Sequence, residues 1–343
     1  DRSVSRGLGD VYKRQIMDTS YLFAVVIPIY NKGDVLERAI RSVLNQTFTD
    51  YELILVNDGS GDNSEEVCMK FCNNDRVRYI YQDNAGVSVA RNCGILSSHA
   101  ELITFLDPDD EWYSDHLESL YEVYIENGKV KALYSTAYDI SLFDGRRISV
   151  KKATYSSLFR EEECIWKLYD NPFAIGNTFK YPPIHTNSIM IPKEIFRITG
   201  LFLPGCTKSQ DTDLWYRIGL QYPFVLINRS TTLYHREDST ATRSHKMNYD
   251  WPFLKTADTF IENNPNHRLT ESLKECVDVN RISMARHLIM EGKKDAARMK
   301  LIEVYGGQSV RRRLVLTKFL FYLPCRLISK FYKALNNDYF RYK

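Results

Sequence analysis

An α/β fold on a mostly parallel sheet is predicted by three features of the sequence. From Tyr21 to about Asp110, short apolar runs alternate with segments of helical, 3.6-residue period. The first run, Phe23–Ile29, is almost unbroken, as in a strand covered on both faces. Acidic turns follow two of the runs, at Asn57-Asp58-Gly59-Ser60 and Asp107-Pro108-Asp109-Asp110. In such sheets ligands sit beyond the carboxyl ends of the strands, so these turns are the first functional signal.

The elements follow in order. Pro28 cannot donate to a ladder, so the first strand is expected to fray there. Gly33-Asp34 opens a helix whose stripe is Val35, Leu36, Ala39, Ile40, Val43 and Leu44. Strands at Glu52–Val56, Val77–Tyr81 and Glu101–Leu106 alternate with helices at Ser64–Asn73 and Val87–Ser97. Ala132–Ile140 reads as another strand, and regularity then fails over the aromatic stretch Tyr155–Pro183. A strand at Asn187–Ile191 and a helix at Asp211–Leu220 precede two strand segments, Phe224–Asn228 and Thr231–Tyr234. From Thr256 onward the pattern is helical.

Composition bounds the rest. The 343 residues carry 46 basic and 43 acidic side chains, a net +3 that excludes a strongly acidic chain and does not suggest a nucleic-acid binder. Seven scattered cysteines, with only Cys68 and Cys72 close together, offer no zinc spacing and read as reduced thiols. Residues 1–16 have no signal-peptide core and read as a read-through scar or unstructured leader before Met17. The most apolar late stretch, Leu314 to Ile328, is broken by Lys318, Pro324 and Arg326 and is too short to span a bilayer, which points to the cytoplasm. The expected organisation is a catalytic domain over 17–240, a helical extension over 241–310 and a basic tail over 311–343.

The acidic turns admit two readings each. Asp107 and Asp109 can meet one hard divalent cation with oxygen ligands, or Asp109 or Asp110 can cap a helix beginning near Trp112–Ser114. Asp58 can accept hydrogen bonds from a base or ribose, or serve as a turn residue. Arg91 can reach a phosphate or pair with a carboxylate. Asp211, in Ser209-Gln210-Asp211-Thr212-Asp213, can cap a helix or act as a general base on a hydroxyl. His235 reads as structural, or as an extra metal or phosphate contact in a loop. Trp112 and Trp215 adjoin acidic sites, where a ring can stack on a sugar or pack in the core.

Taken together the motifs resemble family 2 glycosyltransferases of the GT-A fold, over roughly Tyr21–Arg236. Val25-Val26-Ile27-Pro28-Ile29-Tyr30-Asn31 is similar to that family's opening strand, and Val56-Asn57-Asp58-Gly59-Ser60 to its nucleotide-binding turn, with Asn57 for the usual Asp. Asn84–Asn92 is similar to its Asn-Gly-Gly…Ala-Arg-Asn segment, with Ala85 for one glycine, and Asp107-Pro108-Asp109 to its Asp-x-Asp motif. Gly200-Leu201-Phe202 with Gln210-Asp211 resembles its acceptor-side motifs, Gln210 standing for the usual Glu. The resemblance implies a metal-dependent, inverting transfer from a nucleotide-sugar donor, a UDP-sugar, to a hydroxyl of a glycan or lipid-linked acceptor. Carried onto this sequence, it puts Pro28, Tyr30, Asp58, Arg91 and Asp107 at the nucleotide. Asp109 then holds Mg²⁺ or Mn²⁺, and Asp211 is the base. A catalytically silent nucleotide-sugar-binding or scaffold protein of the same fold is the alternative. A dinucleotide-dependent oxidoreductase lacks its glycine-rich turn, since Tyr30-Asn31-Lys32-Gly33 follows the first strand.

The charge is unevenly spread. Arg311–Lys343 carries nine basic residues and one acid, so a chain of +3 has −5 on the remainder. Between those charges lie Leu314, Leu316, Phe319, Phe321, Tyr322 and further apolar residues. Such a segment suits the inner face of an anionic membrane, or it docks on the body of the protein through one face.

Overall fold

The computed structural model describes residues 21–159, 164–175, 179, 181–206, 209–238 and 251–323. The leader at 1–16 and the end of the basic tail at 324–343 lie outside the described residues.

Strand β1 (Phe23–Ile29) is buried throughout. Its alternation sends Phe23, Val25, Ile27 and Ile29 to one face of the sheet and Ala24 and Val26 to the other, into separate apolar cores. Helix α1 (Gly33–Leu44) covers the first face with Leu36, Ala39, Ile40 and Val43. β2 (Tyr51–Asp58) returns parallel to β1, and a short α2 (Ser64–Met69) leads to β3 (Val77–Gln82), parallel to β2. Helix α3 (Val87–Ser97) crosses the other face to β4 (Leu102–Phe105), parallel to β1 on its far side. The helix lies directly on the strand, because a Cβ at Gly94 would stand 2.3 Å from Val26 Cγ1.

The expected fraying at Pro28 does not occur, and Pro28 pairs in register with Val56. Val26 accepts from Leu106 N on the β4 side, so Pro28, two residues on, faces that side as well. There the β4 pairing has already ended at Val26 and Phe105, and no partner asks for the missing N–H.

The second half is less regular. A short β5 (Glu111–Trp112) precedes α4 (His116–Glu126), β6 (Leu133–Ser141) and β7 (Arg147–Ser149). A π turn at Lys151–Tyr155 runs into α5 (Ser156–Phe159), and β8 (Trp166–Tyr169) follows. Then come β9 (Ile189–Pro192), α6 (Ile195–Thr199) and α7 (Gln210–Gly219). β10 (Phe224–His235) is one strand with irregular register between Ile227 and Thr232, where the sequence suggests two segments. The sheet order is β3-β2-β1-β4-β9-β6-β10-β5, with β7 on β6 and β8 on β10. Pairing is parallel from β3 to β4 and again between β6 and β10; β9 joins these halves antiparallel to both neighbours.

Four helices follow β10 among the described residues: α8 (Pro252–Asn263), α9 (Thr270–Met290), α10 (Lys294–Ile302) and α11 (Gln308–Leu320). Phe173 and Tyr216 of the body share one apolar cluster with Phe253, Leu254, Leu273 and Val277 of the extension. Thr256 Oγ1 donates to Asp213 Oδ1 of α7 at 3.0 Å. The described part of the basic tail docks on the extension: α11 buries Val310, Thr317 and Leu320, and Arg286 Nε of α9 donates to Thr317 Oγ1 at 2.7 Å. Val315, Phe319 and Tyr322 remain exposed on α11 and the turn after it. No helix among the described residues is long and apolar enough to cross a membrane.

Candidate active site

The carboxyl ends of β1, β2 and β4 form one rim. The loops after β1 and β2 brace each other across it. Asn31 N donates to Ser60 Oγ (3.0 Å), Gly61 N to Asn31 Oδ1 (2.8 Å), Lys32 N to Ser64 Oγ (3.0 Å) and Gly33 N to Asp62 Oδ2 (2.9 Å). Asn31 takes φ 51°, a left-handed conformation that Asn tolerates well. Pro28 is buried below this rim, and Tyr30 stands on it with half its surface exposed.

Asp58 sits at the rim with its carboxylate already engaged. Its Oδ1 accepts from Gln82 Nε2 (2.7 Å) and Ala85 N (2.9 Å), and its Oδ2 from Gly86 N (2.8 Å). It is 2% exposed, so what it fixes directly is the turn at Asn84–Gly86. A hairpin at Asp58 is ruled out, because β2 continues through α2 to a parallel strand.

The acidic turn after β4 divides its work. Asp107 pairs with Arg91 of α3 at 2.7 Å. Arg91 is buried, its guanidinium lies 5.3 Å from the Phe202 ring, and its Nε and Nη1 have no hydrogen-bond partner among the described residues. Asp109 meets Lys32 Nζ at 2.7 Å, with both side chains nearly buried. Burial, and then the neighbouring Asp107, push the Asp109 carboxyl above its ordinary range, while Lys32 opposes the shift. Asp110 accepts from Asn187 Nδ2 and from His235 N (2.7 Å), and Asn187 Oδ1 also receives Asp107 N (2.9 Å). Burial, Asp109 and Asp107 hold Asp110 well above the usual carboxylate range. The capping reading fails for this turn, since β5 intervenes and α4 starts at His116 after Asp115.

Opposite this turn, α7 presents Asp211 in its first turn; the cap position belongs to Ser209. Thr212 N donates to Asp211 Oδ1 (2.6 Å), and Thr186 Oγ1 to Oδ2 (3.4 Å). Asp213 faces the other way, with Oδ2 paired to Arg217 Nε at 2.8 Å. Arg217 in turn holds the carbonyls of Thr199 and Leu201. Asn92 clamps Phe202 by donating to its carbonyl (2.8 Å) and accepting from its N–H (3.0 Å). A cavity of about 370 Å³ opens beside Asp211, lined by Phe173, Ile184, His185, Trp215 and Tyr216 among others. Trp215 thus both packs edge-on to Phe202 and lines this cavity, whereas Trp112 is a core residue donating to Asn187 O at 2.8 Å.

Three participants escaped the sequence reading. Lys32 and Asn187 bind the acidic turn from 77 residues away, a separation no local motif reveals. His185 stands where the charges of Asp107, Asp211, Arg91 and Asp109 all reach it, between the acidic turn and Asp211. Burial pushes its imidazole below the ordinary range, so it is neutral near pH 7. Its Nδ1 accepts from Asn187 N at 3.4 Å, which assigns the proton to Nε2. His235 ends β10 and does not belong to a loop; its imidazole bridges Glu111 (3.1 Å) and Glu237 (3.0 Å).

The donor set fits a hard cation in chemistry. Asp107 and Asp109 supply carboxylate oxygens, and Mg²⁺ or Mn²⁺ commonly takes one or two of these with substrate phosphates. No group of three or more His, Cys, Asp or Glu among the described residues could hold a metal by itself.

Comparison with known proteins adds the following. The family described as Glycosyl transferase family 2 matches residues 24–182. Glycosyltransferase GlyG of Streptococcus pneumoniae is 30% identical over 235 residues, covering 66% of this chain and 74% of that protein. Uncharacterised glycosyltransferases of Rickettsia conorii and Rickettsia prowazekii are 29% and 28% identical over 57% and 58% of this chain. The chain spans 31% of the first of these and 58% of the second. Among solved structures, residues 1–349 of S. aureus TarS in complex with UDP-GlcNAc superpose with a TM-score of 0.59 at 13% identity, over 93% of this chain and 89% of that one.

Proposed function

The chain belongs to glycosyl transferase family 2 and has the GT-A fold, and from that premise we propose that it transfers a sugar with inversion from a UDP-sugar to a hydroxyl of a glycan or lipid-linked acceptor. The observation that carries this reading is the edge of Arg91. A buried guanidinium with two nitrogens, Nε and Nη1, unmatched is costly unless an anion completes it, and a nucleoside diphosphate at the rim would do so. The UDP-GlcNAc complex of S. aureus TarS supports the choice of nucleotide.

In this reading Tyr30 and the turn braced by Asp58 receive the base, and Asp107 the ribose. Asp109 would hold Mg²⁺ or Mn²⁺. The ion, when bound, neutralises charge developing on the leaving diphosphate without proton transfer. Asp211, fixed by Thr212 N and Thr186, takes the proton of the acceptor hydroxyl, which attacks from the face opposite the leaving group. One carboxylate on that face suffices, as in inverting glycoside chemistry. The cavity beside Asp211 receives the acceptor, and the Nε2–H of His185 is available to an oxygen of donor or acceptor. Exposed Val315, Phe319 and Tyr322, beside Arg311, Arg312 and Lys318, would seat the molecule on an anionic membrane surface during synthesis of a cell-surface polysaccharide.

A thermal-shift screen of nucleotide sugars with and without Mn²⁺ tests the reading. Stabilisation by a UDP-sugar only when metal is present is expected. Indifference to every nucleotide sugar would return the protein to the silent-scaffold alternative.

A further inference from the structure

Neighbouring elements supply the acidic turn with cations, and they are of two kinds. Arg91 and Arg38 are rigid forks: Arg91 grips Asp107, and Arg38 Nη2 reaches both the Asp109 carbonyl and Asp238 Oδ2 (2.8 Å). Lys32 differs, a point charge on a flexible stem whose Nζ meets the Asp109 carboxylate at 2.7 Å and the Asp238 carbonyl at 3.4 Å. Its backbone is pinned through Ser64 Oγ, and that of Gly33 through Asp62, so the stem can turn while its root stays fixed. Because Arg38 holds the Asp109 backbone, that carboxylate remains aimed when Lys32 leaves it.

We propose that Lys32 is a displaceable counter-cation, neutralising Asp109 in the donor-free protein and moving to the donor diphosphate when a divalent cation takes its place. The inference rests on the reading of Asp109 as the metal-holding carboxylate. An ammonium and a dication at the same carboxylate oxygen repel each other, so a cation entering at Asp109 must evict Lys32. The evicted charge remains on the rim, where the anionic diphosphate is the natural new partner. Metal and nucleotide then bind with positive coupling, each removing part of the obstacle to the other, and the coupling is reciprocal.

Mn²⁺ titrations followed by electron paramagnetic resonance of the free ion, on the full chain with and without UDP, test this without measuring turnover. Lys32→Gln is expected to bind Mn²⁺ alone about tenfold more tightly than the wild type, the factor that follows from about 1.4 kcal/mol of lost competition. UDP should also tighten Mn²⁺ less in this variant than in the wild type. Lys32→Met, which keeps the apolar stem, should show the same gain, and thermal melting checks that both variants fold. Equal Mn²⁺ affinity of wild type and both variants, including no binding by any, would overturn the proposal. The Lys32→Gln/Asp109→Asn pair separates the two layers of the argument. Loss of the gain in the double variant supports Lys32 acting at Asp109. Persistence of the gain overturns the inference through its premise, because the ion then lies elsewhere.

Discussion

Asp107, Asp109 and Asp110 are near neighbours in sequence, yet each has a different partner: a fixed guanidinium, a flexible ammonium, and a pair of neutral donors. Asp110 serves the structure, since its oxygens tie the turn to Asn187 and to the end of β10. Removing that tie by Asn187→Ala should cost about 1–3 kcal/mol in a urea melt, because a buried carboxylate keeps only part of its hydrogen bonding. Asp211→Asn should lower transfer by about 10²–10⁴-fold while UDP-sugar affinity by calorimetry stays unchanged. Undiminished transfer would remove Asp211 from the mechanism. The carboxylates themselves were legible because short acidic motifs close strands. Their division of labour was not, because Lys32, His185, Asn187 and His235 come from distant segments that only the fold brings together.

At the scale of elements, the periodic signals were read well where strands are covered on both faces and helices lie on the sheet. β1 and α3 occupy the spans expected from their patterns. Legibility failed where pairing decides the outcome, as at Pro28, whose tolerance depends on where the neighbouring strand stops. It also failed at β5, two residues long and defined only by its partner in β10. Gly94 sets the contact of α3 with β1, and Gly94→Ala is expected to destabilise the fold by about 1–3 kcal/mol on thermal or chemical melting. The start of α4 brings a pH dependence. His116, its ring tilted against Trp112 with centroids 4.1 Å apart and hydrogen-bonded to Thr231, is pushed by burial down to about 3 from an ordinary 6.5. The unfolded chain therefore binds the extra proton between those values. The contribution is complete above about pH 6.5 and is lost toward pH 3, at up to about 1.4 kcal/mol per pH unit. Urea melts of His116→Gln should show a flatter loss between pH 7 and 5 than those of the wild type.

The whole molecule joins a regular half at the rim of β1, β2 and β4 to an irregular half around Asp211, and legibility follows the same division. Parallel strands and crossovers leave a strong local pattern, whereas the contact of the helical extension with the body is written in scattered apolar residues such as Phe173, Tyr216 and Leu273. The basic tail behaves in two ways: one face of α11 is already spent on α9, and Phe319 and Tyr322 stay at the surface. Deleting everything from Arg311 would uncover Ala285, Leu288 and Ile289, so surface substitutions make the cleaner test. Phe319→Ser with Tyr322→Ser should weaken sedimentation with phosphatidylserine vesicles several-fold, leave Tm within a degree or two, and increase the sensitivity of the remaining binding to salt. Unchanged sedimentation would assign this face to another role. The cluster shared by α7 and the extension carries a different implication, for how such a protein can diversify. Drift in the late helices can reshape the wall beside Asp211 without disturbing the rim at the ends of β1, β2 and β4. On the proposed reading, new acceptors can thus be explored by changes remote in sequence from Asp211, while the donor end stays as it is.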